Sequence, residues 1–459
     1  MNLRPSRDPL LGASLRNTYH MPHTQSVSTP QGSVRTRPQD LINRMARQNW
    51  VQFGAEQVPA GAFQQNNVYA DLRITGAGVD IVNGGITQLI VTATAPNPPN
   101  QLELLSGHFL HERWEMLPDG ANTDDTIYPE QIFIRTYTPA GDEEAALKGT
   151  VQYVAAGQPT FDSTNVLFVQ PESFDHTLDP NFPFDITRAL ALPHNSSRTY
   201  YFDLPIAIFN SHIFLPAVKQ YMRIRQYFRQ TPFVSGNPVT AGNFLTLSQN
   251  QLFLYGEVFS PTIRSKMMSA YSGRAFISRC LTHERQIFNV PNVVPDATSG
   301  DFSLTSYNGT FANLQLFLRA SGATNENLYQ WYPLNSITFE NSSGNPVTIN
   351  DNPGDFIRLV ISARNYKSRF TLAYLPAANL VGASEYRKNL YEFPFSQNSE
   401  MTLRGVANTG FYPFSGNDTL RIKPGDSPLT GSPADLYTIA YRHSDFRVSA
   451  QGTASVQKH

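Results

Sequence analysis

The sequence predicts an all-β protein built as two sandwich-like domains in tandem, and three observations carry this. Aromatic residues reach 12%, with 30 Phe and 21 Tyr, while charged residues fall to 15% against a typical ~25%. Gly and Pro are plentiful, at 29 and 33, and they break the chain into short apolar runs. Strand-like alternation recurs in both halves, and helical periodicity is scarce. Aromatic and β-branched stretches punctuated by Gly, Pro, Asn and Ser are what many strands joined by long loops require. The 459 residues accommodate two β-domains of ~200–250 residues each.

Residues 1–37 hold five arginines against one aspartate, a net +4, with four scattered prolines. Such a segment buries too little apolar surface to fold alone. It reads as a mostly irregular arm, either a loose terminus or an assembly arm that orders against neighbours. Pro38 to Trp50 reads as a short amphipathic helix, with Pro38 and Asp40 suited to its first turn. Leu41 and Met45 lie four apart, as do Ile42, Ala46 and Trp50, which makes one apolar stripe. Leu41, Ile42, Met45 and Trp50 are therefore the candidate assembly residues. The stripe packs under its own domain or lies on a partner or lipid surface.

Strands follow. Val68 to Ile74 alternates apolar and polar, and Gln88 to Ala95 is closed by Pro96, Pro98 and Pro99. Gln131 to Tyr137 and Val166 to Val169 read as further strands. A second β-rich stretch opens near Asn243. Its strands are expected at Gln251–Phe259, Asn313–Arg319, Phe356–Ala363, Arg369–Leu375, Asn389–Phe395, Asp418–Ile422 and Leu436–Val448. One helix, Thr262 to Ala270, follows Ser260-Pro261. The division is an arm over 1–50, a first domain over 51–230 and a second over 231–459. Periodicity alone does not separate jelly rolls from immunoglobulin-like sandwiches.

The residues offer little chemistry. A net charge of −1 gives no general attraction to nucleic acid or to an anionic membrane. The single cysteine, Cys280, excludes a disulfide or an all-cysteine metal site within one chain. No signal-peptide pattern opens the sequence, and no apolar run approaches the ~18–20 residues of a membrane span. Without a secretory signal, the four sequons at Asn195, Asn308, Asn341 and Asn417 read as chance matches. His108-Phe109-Leu110-His111-Glu112 lacks the order of a zinc protease helix and alternates as a strand does. Cys280, near His283 and Glu284, has no glycine-rich nucleophile turn before it and reads as a small buried thiol. No P-loop, nucleophile elbow or dinucleotide fingerprint occurs. No catalytic, cofactor-binding or metal residue is assigned, and the chain reads as structural.

Three segments carry a resemblance. In Tyr201 to Arg225 a strand carrying Leu204-Pro205 leads to a short irregular turn, and Leu215-Pro216 follows before a second strand; proline tolerates a strand start or edge and imposes extended geometry before it. Leu252 to Met268 runs a strand into a short basic helix with Arg264 and Lys266, then continues to Phe276-Ile277-Ser278-Arg279. Leu390 to Ser396, Gly405 to Asn408 and Leu436 to Gly452 form an aromatic strand, a polar turn and a closing strand pair. In this order the segments resemble the major capsid proteins of nucleocytoplasmic large DNA viruses, virophages and related tailless icosahedral DNA viruses. The likeness covers roughly residues 195–455. The acidic residue usual before the basic helix is missing here, and residues 66–195 match by strand pattern alone.

The resemblance implies two tandem eight-stranded jelly rolls, a double jelly roll with long loops. It further implies a homotrimer that forms a pseudohexameric capsomer, meeting neighbouring capsomers and penton proteins, with residues 1–50 facing inward towards minor capsid proteins or an internal membrane. The location would be the virion, assembled inside the host cell, with no sequence-specific nucleic-acid binding and no cofactor. Two rivals stand beside it. Another viral capsid or spike protein would show one set of strands and a dissimilar C-terminal half. A carbohydrate-binding β-sandwich protein would usually show a secretory signal and an acidic pair or metal loop.

Overall fold

The computed structural model describes residues 46–54, 59, 61–75, 78–94, 101–104, 109–118, 122–137, 190–211, 213–230, 244–323, 328, 330–347, 352–353, 389–395 and 410–459. The chain runs through β1 (Ala46–Gly54), β2 (Tyr69–Ile74), β3 (Ile81–Thr94), β4 (Gln101–Leu104), β5 (His111–Leu117) and β6 (Asp125–Ile127) into helix α1 (Pro129–Tyr137). It continues through β7 (Leu190–Pro193), β8 (Ser197–Asp203), the one-turn helix α2 (Ala207–Asn210), β9 (Met222–Phe228) and β10 (Phe244–Phe259). Helix α3 (Pro261–Tyr271) leads to β11 (Phe276–Val290), β12 (Asp301–Ser303), β13 (Asn308–Ala320), β14 (Leu334–Glu340) and β15 (Asn352–Pro353). The last strands are β16 (Tyr391–Pro394), β17 (Tyr412–Ser415), β18 (Thr419–Pro424), β19 (Ala434–Val448) and β20 (Ala454–Lys458).

The first half forms two four-stranded sheets, ordered β1-β10-β3-β8 and β2-β9-β5-β6, with β4 and β7 paired separately. The second half forms β11-β19-β13-β16 and β12-β18-β14-β15, with β17 added beside β13 and β20 beside β19. With β4, β7, β17 and β20 set aside and the rest numbered in chain order within each half, both halves read 1-8-3-6 and 2-7-4-5. This order, with the first strand beside the last, is that of the eight-stranded jelly roll. The same topology thus occurs twice among the described residues.

Side-chain alternation stacks the sheets. In β9, Met222, Ile224, Gln226 and Phe228 are buried while Arg223, Arg225 and Tyr227 face outward. The first core gathers Phe63, Trp114, Tyr200, Phe202 and Phe228, and the second gathers Leu314, Leu316, Phe339, Tyr391 and Phe393. Two glycines in β3 have a steric reason. A Cβ at Gly84 would collide with the Tyr255 ring, and one at Gly85 with the Phe209 ring.

Several expectations need correction. The helix expected over 38–50 is not helical at 46–50. These residues open β1, which pairs with β10 from Ala46↔Phe259 to Gly54↔Gln251. A nine-residue ladder outweighs the weak helix propensity of Asn, Trp and Val. Gln131 to Tyr137, expected as a strand, is helix α1. Pro129 presets the first turn, Glu130 faces the helix dipole, and the Gln131 Oε1 accepts from the Tyr128 N–H at 2.8 Å. Gln251–Phe259, expected in the second domain, lies in β10 and is hydrogen-bonded between β1 and β3. The sheet of the first half is incomplete without it, so a division at residue 230 cuts through that sheet. Strands β14 and β20 were not anticipated. The strands expected at 166–169, 356–363 and 369–375 lie outside the described residues, as do Leu41, Ile42 and Met45.

Candidate functional site at the junction of the two jelly rolls

The residues singled out as chemistry-bearing separate into two groups in space. His108 lies outside the described residues. His111 opens β5 and points into the first core, its ring 4.3 Å from Trp114, 4.7 Å from Phe202 and 5.3 Å from Phe228. Its Nε2 lies 3.4 Å from the Gln226 Oε1. Burial lowers its pKa to about 3, so it is a neutral core residue at ordinary pH. Cys280 is buried at the root of β11, and burial, then the nearby Asp125 and Asp445, push its thiol well above the usual range. A thiol held protonated is a poor nucleophile. Among the described residues no group of three or more His, Cys, Asp and Glu is placed to hold a metal, and no helix is long and apolar enough to cross a membrane.

His283 belongs to the second group, and it marks where the two jelly rolls meet. Its partner is Asp125 of β6, in the first jelly roll. The Asp125 Oδ1 accepts from the His283 backbone N–H at 2.9 Å, and the His283 Nδ1 lies 3.1 Å from the same oxygen. The Oδ2 accepts from the Ala207 N–H at 3.0 Å, at the start of α2. One carboxylate with a fully buried side chain therefore joins β6, α2 and β11. Charge-assisted bonds to backbone donors are among the stronger hydrogen bonds, and they fix position as well as distance.

A second polar link stands beside it. Glu130, in the first turn of α1, meets Arg319 of β13 at 3.0 Å and Arg285 of β11 at 3.9 Å. Burial pushes the Glu130 carboxyl up, but Arg319 and Arg285 more than offset that and hold it below the usual range. Arg319 also donates to the Leu328 carbonyl at 3.2 Å and to the Tyr437 hydroxyl. Arg285 lies 3.3 Å over the Tyr128 ring.

Apolar packing closes the joint. Phe109 and Ile134 of the first jelly roll join Leu281, Phe317, Trp331, Tyr437, Ile439 and Tyr441 of the second. Phe317 stacks on Trp331 at 4.2 Å and on Tyr437 at 5.1 Å. Nearer the linker, the first core continues into Phe276, Cys280, Phe446, Val448 and Ala454. Tyr271, at the end of α3, lies between Phe214 at 5.4 Å and Phe276 at 4.5 Å. Arg264 of α3 is held by Asp80 at 3.0 Å, and the second Asp80 oxygen accepts from the Phe259 N–H at 2.7 Å. The C-terminal β-hairpin adds the Val456 N–H on Asp124 at 2.8 Å and the Gly452 carbonyl on the Lys219 N–H at 3.0 Å.

This arrangement holds two domains at one relative position. Asp125, Glu130 and Arg319 escaped sequence reasoning because no local motif marks them; their partners lie 158 and 189 residues away. Of the assembly-arm candidates, Trp50 alone falls among the described residues, in β1 opposite Tyr255.

No protein-family model and no curated protein sequence matches the chain. Solved structures do. The chain is similar to PBCV-1 VP54, in a crystal structure fitted into a reconstruction of the virophage Sputnik, with a TM-score of 0.58 and 10% identity over 90% of this chain and 97% of that one. It is similar to the Faustovirus major capsid protein, with a TM-score of 0.55 and 10% identity over 95% of this chain and 98% of that one. A chain of the Sputnik virophage structure gives a TM-score of 0.53 and 10% identity over 100% of this chain and 93% of that one. At such identity the likeness is one of fold. Together with the repeated strand order, it makes the chain a double jelly roll.

Proposed function

We propose that the chain is a viral major capsid protein, three copies of which join into a pseudohexameric capsomer that tiles an icosahedral shell. The observation that carries this is the repeated 1-8-3-6 and 2-7-4-5 strand order, locked by the buried Asp125 and Glu130 junction. Two like domains held at a fixed position give each chain two similar outer edges, and three chains then give six. A closed ring of this kind leaves no free edge for runaway growth. The role is structural rather than catalytic, and it is exercised in the virion.

The two units are a first jelly roll through β10 and a second from β11, joined by α3. Residues 1–37 serve as the assembly arm, continuing toward β1 through Leu41, Ile42 and Met45. The arm contacts neighbouring capsomers, penton or minor capsid proteins, or an internal membrane. Its net +4 suits an anionic surface, and that contact weakens with salt because exposed charges are screened within ~10 Å at 0.1 M.

Light scattering on the purified full chain is expected to give three times 51.2 kDa. A stable monomer at micromolar concentration overturns the capsomer reading. Deleting residues 1–37 is expected to leave that trimer intact while particle yield falls; loss of the trimer itself assigns the arm to the fold.

A further inference from the structure

Each jelly roll is a pair of facing sheets, and polar groups cross the two sandwiches differently. In the second, the link is direct. The Tyr391 hydroxyl of β16 accepts from the Leu334 N–H of β14, in the opposite sheet, at 2.7 Å. In the first, four polar side chains point into the sandwich, and each keeps one atom without a hydrogen-bond partner among the described residues. These atoms are the Thr87 Oγ1, the His111 Nδ1, the Trp114 Nε1 and the Gln226 Nε2. None of the four residues is more than 1% exposed. A polar atom buried without a partner is costly, so protein interiors pair such atoms with protein or with ordered water.

The four lie together, and they come from both sheets. Thr87 belongs to β3, opposite Leu252 and Phe202, both in the first core. His111, Trp114 and Gln226 belong to β5 and β9 of the facing sheet, where Trp114 and Gln226 are a register pair. His111 and Trp114 reach across to Phe202, at 4.7 and 5.7 Å between ring centres. Thr87 stands beside that ring, because directly opposed residues of adjacent strands hold their Cβ atoms ~5 Å apart.

Donors and acceptors balance at this place. The His111 Nε2 faces the Gln226 Oε1 at 3.4 Å, so that nitrogen carries the proton of the neutral ring and the Nδ1 is an acceptor. The Trp114 indole and the Gln226 amide nitrogen are donors, and the Thr87 hydroxyl serves as either. Turning the Gln226 amide over exchanges the roles of Gln226 and His111 and leaves the balance unchanged. Two donors and two acceptors are the complement of one water molecule, which needs two to four such partners to stay in an interior.

We infer that the first jelly roll binds an ordered water between its two sheets, held by Thr87 from one sheet and by His111, Trp114 and Gln226 from the other. The water does for the first sandwich what the Tyr391 hydroxyl does for the second, carrying a polar link across the core.

Two measurements on the full chain test it. In the first, a density map that shows ordered water elsewhere in the interior is expected to place a peak within hydrogen-bond distance of the Trp114 Nε1 and the Thr87 Oγ1. A map without a peak there, or with these side chains bonded directly to one another, overturns the inference. The second reads a sign. Thr87→Val keeps the shape and removes the hydroxyl together with its bond to water, so the folding equilibrium at equal protein concentration is expected to fall about two- to tenfold by denaturant titration. A hydroxyl without any partner only costs stability, so an unchanged or raised denaturant midpoint overturns the inference. Gln226→Met reaches the same water from the opposite sheet. The double variant is therefore expected to lose less than the sum of its singles, and additive losses overturn a shared water.

Discussion

Replacing Asp125 with Ala removes the acceptor on which three elements converge. The Asp125 side chain is 0% exposed, and it accepts from the backbone N–H groups of His283 and Ala207 at 2.9 and 3.0 Å, with the His283 Nδ1 at 3.1 Å. Each backbone donor left buried without a partner costs about 1–3 kcal/mol, and bonds to a charged acceptor lie toward the upper end. Two such donors and the imidazole give a loss of roughly 3–6 kcal/mol. For a domain of ~200 residues, 1 kcal/mol moves Tm by ~2–4 °C, so the loss corresponds to at least ~6 °C. Scanning calorimetry at a fixed scan rate reads this directly, because a large β-protein that aggregates on unfolding must be compared at one rate. His283→Phe is the control. It keeps the backbone bond to Asp125 and a ring near Tyr441, so it is expected to lose far less. An Asp125→Ala variant melting within 2 °C of wild type, or a His283→Phe variant melting as low as Asp125→Ala, would refute the assignment of this carboxylate as the hub.

Three further outcomes follow from the same geometry. Glu130→Gln is expected to cost roughly 3–5 kcal/mol by leaving Arg319 and Arg285 without their countercharge, and the double variant Glu130→Leu/Arg319→Met to cost less than the sum of its singles; additive losses in a double-mutant cycle would contradict the pairing. Because His111 titrates near pH 3 when folded and near 6.5 when unfolded, the unfolded state takes up the extra proton between those values. Stability is thus full above pH 6.5 and falls toward pH 3, by up to tenfold in the folding equilibrium per pH unit, and His111→Phe should flatten denaturant-derived stability against pH by one proton. Cys280, buried and pushed up in pKa, is expected to resist thiol reagents in the native protein and to label only at the rate of unfolding; fast stoichiometric labelling would disprove its burial.

The sequence by itself determined the fold class, because that information is local. Aromatic and β-branched runs cut by Gly and Pro specify strands, and alternation such as that of Val68 to Ile74 names the buried face, Ala70, Leu72 and Ile74, without reference to any partner. The helix at Thr262 to Ala270 was equally legible, since Pro261 announces its start. The absence of a recognisable nucleophile or metal motif was also local information, and Cys280 and His111 turned out to be buried groups. What the sequence left open was every choice settled by a distant neighbour. Ala46 to Trp50 lies in a strand because β10, some two hundred residues away, offers a ladder. Gln131 to Tyr137 alternates like a strand yet coils, because Pro129, Glu130 and Gln131 close its first turn. Gln251 to Phe259 carries the pattern of a strand in either domain, and only its pairing with β1 and β3 assigns it to the first. The junction lies furthest from local reading. Asp125, Glu130 and Arg319 are ordinary charged residues in one dimension, and they become the hinge pins of two domains because folding removes them from water at places where only each other, and a few backbone donors, can satisfy them.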